Sequence, residues 1–288
     1  MTMNDDRPVL VTGASGKTGR RVAAGLARRG VATRLATRAG RDGIAPFEWA
    51  DRDSWGPALA GVRAVYIAYA PDLAAPGAPE TIDAFSAEAR AAGVERLVLL
   101  SGRGEPEAQR AEALLADGAQ GAPDWTVLRA SWFVQNFSES FLLDGVQQGV
   151  LALPVDPDSQ VGEPFIDIDD IADAAVAALC DPGHAGRLYE VTGPRLITLA
   201  EMTAELAAAA GKPVRLEPIA PDDYRRALAE QGVPADVAEL VIYLFGTILD
   251  GRNAQICDGV RQALGRPPRD VAGYLAATAA TGLWREAA

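Results

Sequence analysis

Short apolar runs alternate with segments of helical periodicity over roughly the first 130 residues. The apolar runs predict strands at 8–12, 32–37, 45–49, 63–69, 95–100 and 125–129. Between them lie amphipathic segments such as 79–92, in which Ile82, Phe85 and Ala89 recur at helical spacing. This alternation is typical of a parallel sheet covered by helices on both faces, whose ligands bind beyond the carboxyl ends of the strands.

The turn after the first strand is rich in glycine, since residues 9–21 read VLVTGASGKTGRR. A nucleoside-triphosphate loop, G-x-x-x-x-G-K-[ST], would need glycine at position 11, where Val11 lies inside an apolar run. Gly13, Gly16 and Gly19 instead form G-x-x-G-x-x-G, a variant of the dinucleotide fingerprint in which the backbone approaches a pyrophosphate. The order strand, turn, helix, strand therefore predicts a dinucleotide site. A purely structural turn, or a nucleotide triphosphatase or kinase, is the alternative.

The end of the second predicted strand indicates which dinucleotide binds. NAD sites usually place Asp or Glu about 20 residues after the glycines, whereas an Arg in that region accommodates the 2′-phosphate of NADP. The strand ends LATRAGR, which presents Arg38 and Arg41 before the first acid, Asp42. Because Arg forms bidentate pairs with phosphate, we expect NADPH rather than NADH. A solvated arginine is the alternative.

These patterns together predict an α/β fold, a Rossmann-like doubly wound parallel sheet with a smaller, mostly helical C-terminal substrate lobe. Beyond the sixth strand the pattern loosens into a helix at 132–148, a strand, acidic cap and helix over 165–179, a strand at 187–192 and a helical tail. We expect an NAD(P)-binding domain over residues 1–155, with strand 187–192 added to its sheet. Residues 156–288 would form mostly the substrate-binding lobe, and a tail that only completes a homodimer is the alternative.

Composition and charge exclude several classes of function. The chain has 288 residues, of which 49% are hydrophobic, enough for a large α/β domain with an attached lobe. Its longest apolar run, 240–249, has ten residues, whereas a membrane helix needs about 20. The acidic, polar start lacks the features of a signal peptide, so we expect a cytoplasmic protein with no membrane association. A net charge of −12 opposes binding to nucleic acids.

Few side chains of the catalytic types are available. The one histidine, His184, lies in the turn-rich stretch DPGHAGR and is predicted to be a surface-loop residue rather than part of a Ser-His-Asp triad. Cys180 and Cys257 are far apart in sequence, so we expect no metal site. Only Lys17 and Lys212 accompany 25 arginines.

The blocks TGASGKTGRRV, FEWADRDSW, AVYIAYAP, ERLVLLSG, DWTVLRASWFVQNF, FIDIDDIADAA and YEVTGP follow one another along the chain. In these blocks the sequence resembles, nearly end to end, the NmrA-like branch of the atypical short-chain dehydrogenase/reductase superfamily. GKTGRRVA and SWFVQNFSESF especially resemble the bacterial relatives of the ergot-alkaloid reductases of the festuclavine synthase type.

The resemblance implies positions for the cofactor. Six residues of the first turn would line the pyrophosphate: Gly13, Ser15, Gly16, Lys17, Thr18 and Gly19. Arg38 would meet the 2′-phosphate, and Asp51 would flank the adenine. Ala68, Tyr69 and Ala70 would pass under the ribose, and Ser101 would lie near the nicotinamide.

The resemblance also implies a substrate pocket, formed by Tyr69, Trp132, Phe133 and Asn136 on the nicotinamide side. Core positions for Trp132 and Phe133 are the alternative. Ser101 and Asn136 are the candidate catalytic residues, and Glu112 matches a recurring glutamate of the family.

The chain departs from the superfamily at its proton donor. Standard members use Tyr-x-x-x-Lys, in which the lysine lowers the pKa of the tyrosine, but none of the six tyrosines here has lysine four residues later. Without such a donor, the activation barrier for ketone reduction should be higher, by about 3 kcal/mol per missing donor. Reduction of an iminium or a quinone depends less on a proton donor. We therefore expect an NADPH-dependent reductase of an imine, iminium, quinone or enone, with a non-catalytic NAD(P) redox sensor of the NmrA type as the alternative.

Overall fold

The computed structural model describes residues 6–40, 44–118, 123–156 and 158–285. The strands are β1 Val9–Val11, β2 Thr33–Thr37, β3 Ile44–Pro46, β4 Ala64–Ile67, β5 Arg96–Gly102, β6 Asp124–Ala130, β7 Val150–Leu153, β8 Gly162–Glu163, β9 Arg187–Val191, β10 Ile197–Thr198 and β11 Arg215–Pro218. The α-helices are α1 Lys17–Arg28, α2 Trp55–Leu59, α3 Ala78–Ala91, α4 Pro106–Gly118, α5 Asn136–Glu139, α6 Leu143–Gln148, α7 Ile168–Cys180, α8 Leu199–Ala210, α9 Pro221–Glu230, α10 Ala235–Tyr243, α11 Gly259–Leu264 and α12 Val271–Ala280. A 3-10 turn covers Arg52–Ser54, and a π-helix covers Leu244–Ile248.

The chain folds as two compact units that alternate along the sequence. The first consists of Met1–Ala130, Ile168–Val191 and Asp258–Arg266, and the second of Ser131–Asp167, Thr192–Cys257 and Pro267–Ala288. The predicted boundary between residues 155 and 156 therefore differs from the observed division. The difference arises because α7 and β9 return to the first unit, while the segment after β6 already packs in the core of the second.

In the first unit, seven described strands form one parallel sheet in the order β3-β2-β1-β4-β5-β6-β9. The direction of strand addition reverses at β1, whose Val9 is in register with Thr33 of β2 on one side and Ala64 of β4 on the other. The predicted doubly wound α/β fold is thus confirmed, and the strand predicted at 187–192 joins the sheet as β9. Ligands of such sheets bind in the crevice at the carboxyl edge where the order reverses.

One face of the sheet is covered by α2, α3 and α4. Leu97, Leu99 and Val127 of the central strands pack there with Trp55 and Phe85 in a single buried cluster. Strands that are buried on both faces read as nearly continuous apolar runs, which is why the sequence pattern located them. The core fixes the strand ends, and with them the loops of the candidate site.

The opposite face carries α1 and α7 packed together. Gly25 of α1 allows this approach, because a Cβ atom at that position would lie 2.8 Å from Cγ2 of Val176. Asp170 of α7 is fully buried and forms an ion pair with Arg266, at 2.7 Å. The short segment Asp258–Arg266 is thereby held against α7.

The second unit departs from the predicted single helix at 132–148. The segment forms two short helices, α5 and α6, because Ser140 between them has an extended backbone. Two further pairings are made in this unit: β7 with β11, in parallel, and β8 with β10, antiparallel. In place of the strand predicted near 165, Ile166 forms an isolated bridge with Phe133.

The core of the second unit is separate and aromatic, with Phe137, Phe165 and Trp284 almost fully buried. The mostly helical tail is observed as α8 to α12, interrupted by β11. Helix α8 begins with a capping box in which Thr198 and Glu201 each bond to the other's backbone amide. No helix within the described ranges is both long and apolar enough to cross a bilayer.

Candidate active site

The glycine-rich turn between β1 and α1 has the geometry of a phosphate loop. Gly13 has a φ of +59°, in the left-handed region that favours glycine, and its carbonyl accepts a hydrogen bond from the Gly16 amide at 2.8 Å. A side chain at Gly19 would overlap the Gly13 carbonyl, so the first turn of α1 can lie on the loop only without one. Ser15 and Gly16 are exposed at the tip of the loop.

The N-terminus of α1 opens directly onto this turn. Gly16 is the N-cap residue and makes no side-chain cap, and the first turn, which begins with Lys17 and Thr18, carries no acidic side chain. The amides of a helix N-terminus have no partner within the helix, and the helix dipole adds partial positive charge there. The turn is therefore chemically suited to an anionic group such as a pyrophosphate.

Thr12 joins this turn to the neighbouring strand β4. Its hydroxyl donates to the Tyr66 carbonyl at 3.1 Å and accepts from the Ala68 amide at 2.9 Å. Ala68 consequently lies against Gly13, since a Cβ atom at Gly13 would be 3.4 Å from that of Ala68. The sequence analysis did not single out Thr12, although a polar residue that ends a buried apolar strand is a usable signal.

Two more of the predicted cofactor residues follow β4. Tyr69 is partly buried, with its ring 5.0 Å from that of Trp49 at the margin of the large core. Ala70 is exposed, and the peptide bond between it and Pro71 is cis. Tyr69 thus combines a packing role with its predicted position beside the ribose.

The end of β2 lies next to the same turn, because the Ala14 amide donates to the Ala36 carbonyl at 3.2 Å. Arg38 follows the strand, is exposed, and forms no ion pair with any residue in the described part of the chain. Asp51 is also exposed and caps the 3-10 turn by accepting from the Asp53 amide at 3.2 Å. Arg41 and Asp42, which entered the argument for NADPH, lie outside the described residues.

At the carboxyl end of β5, Ser101 belongs to a buried row of side chains. Its hydroxyl donates to Oε1 of Glu112 at 2.6 Å, and Nε of Arg129 donates to the same oxygen at 2.9 Å. Arg129 in turn donates to Glu190 at 2.8 Å. Ser101, Arg129 and Glu190 are register partners on β5, β6 and β9, so the row crosses three strands. The hydrogen of Ser101 is thus already donated, which leaves its oxygen as an acceptor.

A pair of acidic side chains lies at the same edge and was missed by the sequence analysis. Asp72 follows β4 and Glu105 follows β5, and the two carboxyl groups are close enough for each to act on the pKa of the other. Glu105 is 8% exposed. Burial, and after it the Asp72 carboxylate, raise the pKa of Glu105 to about 9, and burial also raises the pKa of Asp72. The sequence shows an acid a few residues after a strand, in SGRGE, but does not show which side chain lies beside it.

The remaining predicted site residues, Trp132, Phe133 and Asn136, lie in the second unit and are partly buried there. The Trp132 ring lies 4.8 Å from the ring of Phe245. At the start of α5, the backbone amide of Asn136 donates to the Phe133 carbonyl at 3.1 Å. The structure thus brings these three together on one short segment of chain.

Phe245 also lines a cavity of about 340 Å³ inside the second unit. Apolar side chains such as Leu216 and Leu249 line the cavity together with three acidic residues, Asp156, Glu163 and Asp250. Part of the wall is the π-helix, a conformation that is rare and often found at functional sites. The volume of the cavity falls within the usual range for small-molecule pockets, about 300–1,000 Å³.

His184 corrects one expectation. It lies in a loop, as predicted, but it is buried rather than at the surface, with Nδ1 2.9 Å from the hydroxyl of Tyr189. Its carbonyl accepts from Thr126 at the start of β6, which is the amino edge of the sheet. Burial lowers the pKa of His184. A histidine placed there cannot act at the carboxyl edge.

Curated relatives align with almost the whole chain. It is 32% identical to the oxidoreductase YesF of Bacillus subtilis over 99% of this chain and 100% of that protein. It is 34% identical to a (4-alkanoyl-5-oxo-2,5-dihydrofuran-3-yl)methyl phosphate reductase of Streptomyces griseus, over 91% of this chain and 94% of that protein. The agroclavine dehydrogenase of Claviceps fusiformis is 28% identical, over 93% and 96%. No protein-family model matches the chain.

A solved structure shares the fold. Triphenylmethane reductase of Citrobacter sp., crystallised with NADP(H), superposes with a TM-score of 0.75 at 18% identity, covering 94% of this chain and 99% of that one. Because the sequence identity is low, this similarity shows a shared fold and nothing about the reaction. Taken with the relatives above 30% identity along nearly the full length, the fold and the glycine turn show that the chain belongs to the NmrA-like branch of the atypical short-chain dehydrogenase/reductase superfamily.

Proposed function

We propose that this protein is an NADPH-dependent reductase that transfers hydride to a small organic acceptor such as an imine, an iminium, a quinone or an enone. The observation that carries the proposal is the uncapped N-terminus of α1 behind the Gly13–Gly19 turn, at the point where the strand order reverses. The relatives with which the chain aligns are oxidoreductases by name, which supports the reaction class.

The described residues fit such a cofactor. The main-chain amides of Ser15 to Gly19 would hold the pyrophosphate, and the exposed Arg38 would pair with the 2′-phosphate. Asp51 would lie by the adenine, Ala68 to Ala70 by the ribose, and Ser101 by the nicotinamide. When bound, NADPH would supply the hydride.

The choice of acceptor rests on the proton donor. Ser101 donates its hydrogen to Glu112, so it is poorly placed to protonate an alkoxide, and the chain has no Tyr-x-x-x-Lys. The name of the Streptomyces relative describes a ring C=C bond conjugated with carbonyl groups. The proposed acceptors delocalise the charge that hydride brings, or begin as cations. The rate enhancement would then come largely from holding the hydride donor close to the acceptor atom in the right orientation.

We assign substrate binding to the second unit. Its cavity is lined by apolar side chains and by three acidic residues, which suits a small aromatic or amine-bearing molecule. Trp132, Phe133 and Asn136 would contribute to the binding surface, with Asn136 orienting the acceptor. The predicted homodimer and the cytoplasmic location stay predictions, to be tested by light scattering and fractionation.

The decisive test combines cofactor binding with turnover. Titration should show tight binding of NADPH and weaker binding of NADH, and absorbance at the NADPH band should fall with at least one member of a panel of iminium, quinone and enone acceptors. Removing the charge in Arg38→Ala should weaken NADPH binding by about 10- to 100-fold, with NADH binding nearly unchanged, since a hydrogen bond to a charged group is worth about 1.5–3 kcal/mol.

Arg28→Ala is the matched control, because it removes the same charge from the exposed far end of α1 and should leave both affinities as they are. Equal losses for NADPH and NADH in Arg38→Ala would contradict the assignment of the 2′-phosphate. Tight NADPH binding without turnover of any acceptor would instead favour the redox sensor. A protein that binds neither dinucleotide would remove both functions.

A further inference from the structure

Two loops at the carboxyl edge of the sheet bring Asp72 and Glu105 together. Strands β4 and β5 are neighbours, with Ile67 in register with Leu99, and each acid follows the end of its strand. The Glu105 carboxyl group lies directly over Gly102, where any side chain would overlap it. Ser101, the residue expected nearest the nicotinamide, is adjacent to Gly102 in the sequence. The two acids therefore lie on the edge where a ligand of this sheet would bind.

The arrangement requires a bound proton. An ionised carboxylate that is buried without hydrogen-bond donors is unfavourable, so a carboxyl group in such a place takes up a proton. Oε2 of Glu105 is buried, and no group in the described part of the chain donates to it. The negative charge of Asp72 makes ionisation of Glu105 less favourable still.

The charged groups around the pair keep that proton in place. Glu112 of α4 faces Glu105 and adds a further negative charge. The nearby guanidinium groups are engaged elsewhere: Arg129 pairs with Glu112 and Glu190, and Arg103 with Glu190 at 3.3 Å. The Asp72 side chain accepts from the Ala74 amide at 2.8 Å, which favours its ionised form. Glu105 is thus the member that holds the proton at neutral pH, and half-buried Asp72 is the ionised one.

We propose that the Asp72–Glu105 pair is the proton source for reduction by this protein, in the role that Tyr-x-x-x-Lys has in the standard members of the superfamily. This inference rests on the proposed reductase function. When hydride adds to the carbon of an enone or quinone, the displaced electron pair moves to the acceptor oxygen. The O–H bond of the pair then breaks, its proton passes to that oxygen, directly or through a water molecule, and the pair is left with one more negative charge. A proton from solvent restores it before the next turnover.

The first measurement needs neither cofactor nor substrate. Infrared spectra at neutral pH should show the carbonyl stretch of a protonated carboxylic acid that disappears in Glu105→Gln and persists in the control Glu107→Gln. Glu107 lies two positions further on, at the start of α4, where it forms a surface ion pair with Arg110. The absence of that band from the wild-type spectrum at neutral pH would overturn the proposal.

The second measurement compares two kinds of acceptor. With an enone or quinone, Glu105→Gln should lower kcat about 100-fold, within the range for loss of a general acid, while KM and NADPH affinity stay close to the wild-type values. With a preformed iminium, which needs no proton during hydride transfer, kcat should be nearly unchanged. The wild-type kcat for the enone should fall as pH rises through the alkaline range, and Asp72→Asn should move that fall to lower pH, because a negative charge beside Glu105 is gone.

The outcomes separate the two proposals. If the wild-type protein turns over no acceptor, the proposed function is contradicted. The infrared measurement still tests whether Glu105 is protonated, because it needs no turnover. A wild-type protein that reduces enones, with Glu105→Gln having the same kcat and the same pH profile, overturns the proton-source role alone. An equal loss with the iminium and the enone would likewise overturn it, because it would indicate a structural defect.

Discussion

The proton held by Glu105 affects the stability of the folded chain as well as its chemistry. The pKa of Glu105 is about 9 in the folded protein, against an ordinary value near 4.5. Between those values the folded state binds more protons than the unfolded state, so the free energy of unfolding decreases as pH rises. The contribution is present in full below the ordinary pKa and is lost progressively up to the folded pKa.

We therefore predict that Glu105→Gln removes part of the alkaline loss of stability. The wild-type protein should lose more stability than the variant between about pH 5 and about pH 9, as measured by urea denaturation. Glu107→Gln provides the comparison, since its side chain is partly exposed and paired. Parallel pH profiles for the wild type and Glu105→Gln would contradict the proton on Glu105.

At the scale of single residues, the sequence predicted which residues belong to the candidate site but not which side chains they contact. The glycines of the first turn could be predicted because a fixed spacing encodes their role. The triphosphate loop was excluded because its motif needs glycine at position 11, where the chain has Val11, a buried residue of β1. The Asp72–Glu105 pair could not be predicted, because strand pairing rather than sequence spacing brings its members together. His184 shows a related limit, since the residues of a turn indicate a loop but not whether the loop is buried.

Among the elements, short α11 depends on one close contact with the sheet. Gly259 begins this helix against β9, and a Cβ atom there would overlap the backbone of Glu190. The backbone cannot yield as a flexible side chain would. Since Glu190 also ends the row that contains Ser101 and Arg129, a displacement of α11 would reach the candidate site.

We predict that Gly259→Ala destabilises the protein by about 1–3 kcal/mol, the usual cost of overpacking. Gly273→Ala is the matched control, because Gly273 lies in α12 with no atom near the place of its missing Cβ. That control should be neutral or more stable by up to about 1 kcal/mol, since alanine favours the helix. Thermal melts of the two variants provide the measurement, and equal melting temperatures would contradict the contact.

The sequence predicted best the elements whose hydrophobic pattern results from burial alone. The buried parallel strands are rich in apolar residues, so β1, β4, β5 and β6 were predicted to within two residues of their observed ends. The helices in segment 132–148 were harder to predict. Its aromatic residues lie in or next to two short helices that pack into one core, and their spacing is the same as that expected of a single long helix. Tertiary packing, rather than local preference, sets the break at Ser140.

At the scale of the whole molecule, the two units are interleaved in sequence. The first takes its last two segments, Ile168–Val191 and Asp258–Arg266, from the second half of the chain. These supply the edge strand β9, the helix α7 that covers α1, and Arg266, the partner of buried Asp170. The predicted domain of residues 1–155 lacks all three.

We predict that a fragment of residues 1–155 does not fold independently. It would expose the face of α1 that α7 covers and leave β6 without its neighbour, whereas a fragment of residues 1–266 retains every segment of the first unit. Circular dichroism and cooperative urea unfolding of both fragments and the full chain would check this. A cooperative transition for residues 1–155 would contradict the observed division and favour the boundary expected from the sequence.

The same interleaving constrains the order of events on the ribosome. Domains usually fold from the N-terminus as they emerge, but here β6 has no partner until β9 is synthesised. The sheet is complete only after residue 191 has left the exit tunnel, and the first unit only after residue 266. During that interval the nascent chain presents an open strand edge and an uncovered apolar helix face, the surfaces that chaperones bind and that promote aggregation.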